Sequence, residues 1–369
     1  MCGVAGARSV AAMHAIPEIE TRRDALVERL FTATLGAFDL CAVYVGDRLG
    51  LYRALASNGP MTVSELAAVA GIDERYAREW LEQQAVTGIL TAEDRRFSLP
   101  EGHDEALLDQ SSLAYAAPFA RFVAAVARPL PQLVEAFRTG AGIPYADYGE
   151  DLAGAQASFT RPLFEQLLGS EWLPAVPDVD ARLRSSPPAR VADLACGAGH
   201  SSIAIARAYP DVYVDGLDLD PVSIAMAREN LAVSGVLDRV AFVLADAGDP
   251  ALAGRYDLVT IFEALHDMSH PVEVLRAAAS LLADGGSIIV ADERVADDFT
   301  APGDDFERLY YGFSLTHCLP VGLTDPPAAG TGAVMRADTV RRYAGEAGLG
   351  SVEILPIEND FWRFYRMKS

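Results

Sequence analysis

The nine residues EALHDMSHP, at positions 263–271, contain a glutamate, an aspartate and two of the six histidines of the chain. A histidine titrates near neutral pH and can take a proton from a substrate as a general base. A histidine beside a carboxylate can also bind a metal ion. Pro271 favours a helix that begins at its own position, which leaves His270 outside that helix. His266 is therefore the candidate for chemistry in this stretch.

A glycine-rich turn follows the first of several apolar runs in the second half of the chain. The segment VADLACGAGHSS, residues 191–202, is typical of a strand that ends in a turn and opens a helix. Gly197 and Gly199 allow a ligand to approach the helix N-terminus closely. Dinucleotide-binding turns have a further glycine three positions after the second, where this chain has Ser202. The turn therefore favours a ligand without a pyrophosphate.

Carboxylates end the next two predicted strands. Asp218, in VDGLDLDP, can accept hydrogen bonds from both hydroxyls of a ribose, and Asp246, in VLADAGD, can accept one from an adenine amino group. Asp193, inside the glycine-rich segment, is expected to face a cationic amino group. The only lysine is Lys368, so no lysine is placed to grip phosphates. We therefore expect a ligand with an amine, a ribose and an adenine but no phosphate, a description that S-adenosylmethionine (SAM) matches.

These segments together resemble the successive motifs of the class I SAM-dependent methyltransferases. VADLACGAG, GLDLDP, LADAGD and YDLVTIFEALHDM occur in that order. The resemblance implies a site that binds SAM as cofactor and holds S-adenosylhomocysteine (SAH) as product. The residues that it implies are Asp193, Gly197 and Gly199 at the methionine end, Asp218 and Leu219 at the ribose, Asp246 and Ala247 at the adenine, and Phe262 and Glu263 near the sulfonium.

Residues 20–110 have the outline of a winged helix. TVSELAAVAG begins with Thr62 or Ser64 as a helix cap and stops at Gly71, Asp73 caps the next helix, and GILTAEDRRFSLP is typical of two short strands around a turn. The helix after Asp73 would enter a DNA groove, yet it carries more acidic than basic residues. Because phosphate contacts dominate DNA affinity, we predict a structural or dimerising role for this domain rather than DNA binding.

The sequence after residue 110 falls into two regions that differ in their pattern of apolar residues. Residues 111–188 are predicted to form a helical region that borders the substrate pocket, and the Pro-rich segment RSSPPAR leads to residues 189–369, where apolar runs alternate with helical stretches. This alternation predicts a mostly parallel sheet with helices on both faces. Residues 296–335 are predicted to be a pocket insertion, and residues 1–19 a flexible extension. The expected fold is α/β, a Rossmann-like sheet preceded by a mostly helical winged-helix dimerisation domain.

The charge, the cysteine spacing and the hydrophobicity of the sequence limit the kinds of partner that the chain is expected to have. The net charge of −22 is spread along the chain and would repel nucleic acid and anionic membranes. The four cysteines are far apart, which favours a reducing compartment over a disulfide framework. The mildly apolar start is interrupted by charge and too short to span a bilayer. We therefore expect a cytoplasmic protein that acts on a small molecule or a peptide, with no nucleic acid and no membrane as partner.

A winged helix, a helical middle and a SAM domain together resemble the plant-type and bacterial small-molecule O-methyltransferases. The segments AFRTGAGIPY, EALHDMSHP, VADERV and HCLP resemble an actinobacterial branch of them. The resemblance implies a homodimer active in secondary metabolism, with His266 as the general base that takes the acceptor's hydroxyl proton and Asp292 as the carboxylate that orients it. Substrate contacts are predicted for Tyr148, Tyr311 and His317.

Other interpretations fit the same residues. His266, Asp267 and His317 could form a metal site with two histidines and one carboxylate, and by resemblance such a metal serves the C-methylation of 2-oxo acids. A carboxylate acceptor, including one on a modified peptide, is already ionised and needs no base. Outside the methyltransferases, the alternatives are a winged-helix regulator that senses SAM and an NAD-dependent oxidoreductase.

Overall fold

A computed structural model describes residues 10–368 of the chain, and the side chains of residues 19–368. The chain separates into two compact units that divide between Leu108 and Asp109. Of the extension predicted over residues 1–19, residues 1–9 lie outside the described part, and the following residues belong to the first helix.

The N-terminal unit is a winged helix. Its helices and strands are α1 (Val10–Arg48), α2 (Leu51–Asn58), α3 (Val63–Ala70), α4 (Glu74–Val86), β1 (Thr91–Glu93), β2 (Arg96–Ser98) and α5 (His103–Leu108). Thr62 and Glu65 form a capping box at the start of α3, and Gly71 ends that helix in the left-handed conformation. The side chain of Asp73 caps α4. The helix, turn, helix and wing therefore lie where the sequence predicted them.

A seven-stranded sheet forms the centre of the C-terminal unit. Its strands are β3 (Arg190–Leu194), β4 (Tyr213–Asp218), β5 (Val240–Leu244), β6 (Tyr256–Phe262), β7 (Leu282–Glu293), β8 (Ser351–Ile354) and β9 (Trp362–Lys368). They lie in the order β5-β4-β3-β6-β7-β9-β8, parallel from β5 to β7, and β9 is antiparallel to both of its neighbours. The predicted, mostly parallel sheet is confirmed. Strand order reverses between β3 and β6, the point at which open α/β sheets bind ligands beyond their carboxyl ends.

Helices cover both faces of this sheet. The helices of the C-terminal unit are α6 (Pro118–Ala127), α7 (Leu130–Thr139), α8 (Glu150–Leu163), α9 (Pro177–Leu183), α10 (His200–Ala208), α11 (Pro221–Ala232), α12 (Pro271–Leu281), α13 (Asp305–Phe313), α14 (Leu319–Gly322) and α15 (Ala337–Glu346). Pro271 begins α12, as predicted. One hydrophobic core lies between the sheet and helices α9, α10 and α11, and a second lies between the sheet and helices α12 and α15.

Short irregular helices connect these elements near the carboxyl edge of the sheet. Two are π-helical, Phe164–Trp172 after α8 and Ser314–Cys318 after α13, and two are 3-10 turns, Tyr145–Tyr148 and Leu265–Asp267. The helical region before β3 packs on the sheet within the same compact unit, so the Pro-rich segment 184–190 connects two elements of one unit. In the described part of the chain, no helix combines the length and apolar character needed to cross a bilayer.

Candidate active site

A cavity of about 730 Å³ lies at the carboxyl ends of the parallel strands in the C-terminal unit. Its lining includes residues at or just after the carboxyl ends of β3, β4, β5, β6 and β7, and helices α6, α8 and α13 contribute further side chains. The residues predicted for the cofactor that line it are Gly197, Asp218, Leu219, Asp246, Ala247, Phe262 and Glu263. The topology thus brings residues that are up to 66 positions apart, from Gly197 to Glu263, to one surface.

Asp193 does not line the cavity, in contrast to its predicted contact with a ligand amine. Its carboxylate is buried and accepts hydrogen bonds from the hydroxyls of Ser201 and Ser202, both at 2.6 Å, and of Thr260 at 2.7 Å. Burial raises the pKa of Asp193, although the three hydroxyls oppose this effect. Asp193 therefore joins the start of α10 to β6 beneath the cavity surface. Ser202, which marked only an absent glycine in the sequence, supplies one of these bonds.

The glycine-rich turn is constrained on one side and open on the other. Gly199 has φ 77°, and a Cβ at this position would lie 2.3 Å from Cζ of Phe242, so only glycine fits. No described atom lies within 4 Å of a Cβ built on Gly197. Gly199 itself is not part of the cavity lining. The turn therefore offers the backbone of Gly197 to a ligand while Gly199 packs against β5.

Asp218 holds the turn from the neighbouring strand. Its Oδ2 accepts a hydrogen bond from the N–H of Gly197 and its Oδ1 accepts one from the N–H of Asp220, both at 2.8 Å. Burial raises the pKa of Asp218, and these two bonds oppose that shift. A carboxylate has about four acceptor positions, so two remain for ligand hydroxyls. Asp246, after β5, accepts a hydrogen bond from the N–H of Gly248 at 2.8 Å and also lines the cavity.

His266 lies in a buried cluster of carboxylates at the ends of β6 and β7. Its side chain is 2% exposed. Its Nδ1 lies 2.8 Å from Oδ1 of Asp292, with which it forms a hydrogen bond, and 2.9 Å from Oε2 of Glu293. Its Nε2 lies 3.0 Å from Oδ1 of Asp267. Because β6 and β7 are parallel neighbours, the residues at their carboxyl ends meet, which places the predicted base beside the predicted orienting carboxylate.

The carboxylates determine the charge of this cluster. Burial favours the neutral form of His266, but Asp292, Glu293 and Asp267 outweigh burial and raise its pKa well above the ordinary value. In return, the imidazolium overcomes burial and lowers the pKa of Asp292, and that of Asp267 to about 2. Burial and the charge of Asp292 raise the pKa of Glu293 well above its ordinary range. The neighbouring carboxylates thus favour the imidazolium form of His266, and burial favours the neutral form of Glu293.

Glu263 follows β6 in a strained conformation. Its φ of 53° lies in the left-handed region, and its N–H donates to the carbonyl of Ala291 at 2.7 Å. Its Oε2 is buried and has no hydrogen-bond partner among the described residues, although the side chain lines the cavity. Burial raises the pKa of Glu263 to about 7. Backbone strain and an unpaired buried oxygen together are typical of functional positions.

The predicted metal set is arranged differently from the sequence expectation. In the described part of the chain, the compact groups of candidate ligand atoms are His266 with Asp267 and Cys318, and His266 with Asp292 and Glu293, each within 4.8 Å. His317 belongs to neither. Its Nδ1 lies 3.5 Å from Sγ of Cys318, and its buried Nε2 has no hydrogen-bond partner among the described residues.

Of the three predicted substrate contacts, only His317 lines the cavity. Tyr148 is buried behind it, where its hydroxyl donates to the carbonyl of Thr316 at 2.9 Å and its ring packs 4.8 Å from that of His317. Tyr311 is 40% exposed and lies outside the lining. The sequence prediction for both tyrosines therefore differs from their position in the structure. Tyr145, the other tyrosine of the same 3-10 turn, does line the cavity.

Aromatic side chains form part of the cavity wall, and most of them were not predicted. They include Phe119, Phe122, Phe159, Tyr310, Phe313 and Phe361. Tyr310 and Phe313 belong to the insertion whose aromatic residues were expected to form a wall. Phe119 and Phe122 are three positions apart on α6, and this helical spacing is the only signal that the sequence offers for them. Gln156 and Cys318 also line the cavity without having been predicted.

Two family models match parts of the chain. A family model described as Methyltransferase domain matches residues 185–319, and one described as Rv2258c-like winged HTH domain matches residues 37–109. The curated relative 3-hydroxy-5-methyl-1-naphthoate 3-O-methyltransferase of Streptomyces sahachiroi is 28% identical over 265 residues, which cover 69% of this chain and 74% of that protein. The chain spans only 24% to 46% of the length of the first curated relatives that it matches.

Solved structures match nearly the whole chain. The structure of the mitomycin 7-O-methyltransferase MmcR has a TM-score of 0.69 and 23% identity, and the match covers 95% of this chain and 99% of that one. The structure described as PigF with SAH has a TM-score of 0.72 and 20% identity, with 93% and 99% covered. At these identities the likeness establishes the fold alone.

Proposed function

We propose that this chain, a class I methyltransferase with an N-terminal winged helix, transfers the methyl group of SAM to the oxygen of a small-molecule acceptor, with His266 as the general base. The observation that carries the proposal is one cavity that contains the Gly197 turn and Asp218 together with the buried His266. Holding two reactants in one cavity in the correct orientation supplies much of the rate of such a transfer. The likeness to the naphthoate O-methyltransferase supports an acceptor from secondary metabolism.

The residues of the cavity fit SAM and its product. SAM supplies a methyl group on a sulfonium, which is a good leaving group. Asp218 offers free acceptor positions to the ribose hydroxyls, the Gly197 backbone lies open for the methionine end, and Asp246 is placed to accept from the adenine amine. The described lining residues include neither arginine nor lysine, so a pyrophosphate would find no cationic side chain there. This charge pattern favours SAM over NAD.

Asp292 determines how His266 is presented to the acceptor. The hydrogen bond from Nδ1 to Asp292 keeps a proton on Nδ1 and leaves Nε2, beside Asp267, as the proton acceptor. His266 acts as a base only in its neutral form, while the surrounding carboxylates favour the imidazolium. A cationic sulfonium in the same cavity opposes that effect, because like charges destabilise each other. Binding of SAM is therefore expected to bring the pKa of His266 down toward neutrality.

Calorimetry with SAH and with NAD tests the proposed cofactor. We expect the full-length protein to bind SAH with a micromolar Kd and to show no heat of binding with NAD at millimolar concentration. Incubation with isotope-labelled SAM and candidate phenols should give a labelled product by mass spectrometry. Binding of NAD without binding of SAH would establish the oxidoreductase alternative. Binding of SAH with specific DNA retention at physiological salt and no product would establish the regulator.

A homodimer is part of the proposal, and α1 is the surface that supports it. The large apolar side chains that α1 exposes are Ile19, Leu26, Val27, Leu30, Phe31, Leu35, Phe38 and Val45. A continuous exposed apolar surface of this kind marks a protein interface. We expect a double change of Phe31→Glu and Phe38→Glu to convert a dimer into monomers in sedimentation equilibrium, and Glu28→Gln on the same helix to leave the dimer intact. A monomeric parent protein would contradict the proposal.

Helix α4, the helix that would enter a DNA groove, offers little free positive charge, which supports the prediction that DNA is not a partner. Along α4, Arg75 pairs with Glu79, and Arg78 lies 4.0 Å from Glu74. Both arginines of this helix therefore have an acidic partner on their own helix. Because DNA affinity depends on cations that are free to neutralise phosphates, α4 is poorly suited to a DNA groove.

A further inference from the structure

The cavity is lined by acidic side chains without any matching arginine or lysine among the described residues. The acidic lining residues are Asp218, Asp220, Asp246, Glu263, Asp267, Glu273, Glu293 and Asp325. A cavity with walls of one sign of charge concentrates ligands of the opposite sign and excludes ligands of its own. The charge of the cavity therefore restricts the charge of the acceptor, even without knowledge of the acceptor's shape.

Several of these acids already have partners. Asp220 caps α11 through the N–H groups of Val222 and Ser223. Glu273 lies 3.9 Å from Arg276, and Asp325 lies 2.9 Å from Nε2 of His270. These contacts lie within the first turn of a helix or in a loop, and they satisfy the acids without a ligand.

The acids next to β6 and β7 are different. Glu263 Oε2 is buried and lacks a hydrogen-bond partner among the described residues, whereas Asp267 Oδ1 and Glu293 Oε2 lie 3.0 and 2.9 Å from the ring nitrogens of His266. The only cationic side chain in contact with these acids is His266, whose ring nitrogens face Asp267, Asp292 and Glu293. Glu263 has no such ion pair in the described part of the chain. A buried carboxylate without a cation is unfavourable, so a ligand that brings a cation to this end of the cavity gains affinity.

The aromatic residues that line the same cavity suit a flat, cationic acceptor. Phe119, Phe122 and Phe313 present apolar rings to the same cavity. Aromatic faces attract a cation as well as an aromatic ring. The sulfonium of SAM carries no N–H or O–H, so it cannot donate a hydrogen bond to the unpaired oxygen of Glu263.

We propose that the acceptor is an aromatic hydroxyl compound that also carries a protonated nitrogen, and that Glu263 binds this cation. The inference rests on the proposed methyl transfer and specifies its substrate class. It excludes carboxylate and 2-oxo acid acceptors, since both would place a negative charge beside Glu263, Asp267 and Asp292.

Three phenols of similar size and different charge test the proposal: tyramine, which is cationic, 4-ethylphenol, which is neutral, and 3-(4-hydroxyphenyl)propionate, which is anionic. Their affinities for the full-length protein saturated with SAH are measured by calorimetry at pH 8, where Glu263 is ionised and the amine is still protonated. We expect tyramine to bind about tenfold more tightly than 4-ethylphenol, and the anion to bind most weakly. Tighter binding of the anion, equal binding of the three, or binding of none overturns the proposal.

The variant Glu263→Gln, with Glu273→Gln as its matched control, assigns the effect to one side chain. Both replace an acidic lining residue by its neutral isostere, but only Glu263 lacks a cationic partner. We expect Glu263→Gln to reduce the preference for tyramine over 4-ethylphenol to about twofold, and Glu273→Gln to retain it. A loss of SAH affinity in Glu263→Gln with an unchanged preference would show that Glu263 binds the cofactor instead. Methyl transfer is followed separately with labelled SAM, so a failure of the proposed function is visible as absent labelled product, independently of the binding preference.

Discussion

Replacing His266 by asparagine is expected to lower kcat by roughly 10²- to 10⁴-fold, the usual contribution of a general base. Asparagine can still donate a hydrogen bond to Asp292, but it cannot take a proton from the acceptor hydroxyl. The rate is measured at saturating SAM with the phenol that is methylated fastest by the parent enzyme. A kcat within about threefold of the parent value would show that the acceptor needs no base, as expected of a carboxylate.

A control must show that a loss of rate in His266→Asn does not result from a disordered active site. His266 is the cation of a buried cluster, and loss of one partner of such a cluster costs about 3–5 kcal/mol. SAH affinity and the thermal midpoint are therefore recorded with the rate. His270→Asn is the matched control, because His270 belongs to the same motif but pairs with Asp325 in a loop and is partly exposed. We expect this control to lower kcat far less than His266→Asn, because the ion pair of His270 is with Asp325 and not with the buried carboxylates around His266.

A pH profile distinguishes the base from a purely structural histidine. A base acts when it is neutral, and the neighbouring carboxylates raise the pKa of His266, so kcat/KM should increase as the pH rises through that raised pKa. Asp292→Asn removes one of the charges that raise the pKa, so the increase should move to lower pH. A profile that does not move in Asp292→Asn contradicts the assignment. Metal analysis of the same preparations tests the group formed by His266, Asp267 and Cys318.

The sequence predicted those parts of the fold that depend on local patterns. A helix cap such as Thr62 with Glu65 acts within one turn, and Pro271 limits a helix through its own ring, so both were visible in the sequence. The carboxyl ends of parallel strands meet at one edge, so Asp218 and His266 could be placed in one region from the strand pattern alone. These predictions require only the order and direction of the strands and helices, and not the way in which side chains pack.

The predictions that differ from the structure depend on long-range packing. Asp193 was expected at the ligand because it lies in the glycine-rich motif, but the hydroxyls of Ser202 and Thr260 hold its carboxylate, and Thr260 is 67 positions away. The π-helical segment after Phe313 changes the angular position of the residues that follow it, so ordinary helical spacing does not describe which of them reach the cavity. The left-handed conformation of Glu263 is likewise set by its bond to the neighbouring strand.

The aromatic residues that α6 contributes to the cavity could not be predicted from the sequence either, because they also depend on long-range packing. Phe119 and Phe122 lie more than 140 positions before His266, and an apolar helix face gives no indication of the element on which it packs. By contrast, the acidic character of the lining could have been anticipated, since every parallel strand except β3 has an acid that lines the cavity at or just after its carboxyl end. Acidic residues at strand ends therefore indicate the charge of the ligand. The aromatic residues of the sequence say less about the shape of the pocket.

Replacing Asp218 by alanine should weaken SAH binding by roughly 10²- to 10³-fold. Two effects act in the same direction. The ribose loses hydrogen bonds to a charged acceptor, each of which contributes about 1.5–3 kcal/mol. The N–H groups of Gly197 and Asp220 also lose their acceptor, so the turn that offers its backbone to the cofactor is no longer held. Calorimetric titration with SAH measures the change.

Asp215→Ala is the matched control for this loss. Asp215 lies three positions earlier on β4, where its Oδ2 accepts from Arg190 at 2.6 Å and from the Tyr256 hydroxyl at 2.9 Å, outside the cavity lining. Both variants remove a partly buried aspartate from one strand, and only Asp218 reaches the cofactor end of the cavity. We expect Asp215→Ala to lower the thermal midpoint while SAH affinity stays within about threefold, because the lost contacts lie away from the ligand. Equal losses of SAH affinity in the two variants would mean that Asp218 supports only the strand, and the ribose contact would have to be sought elsewhere.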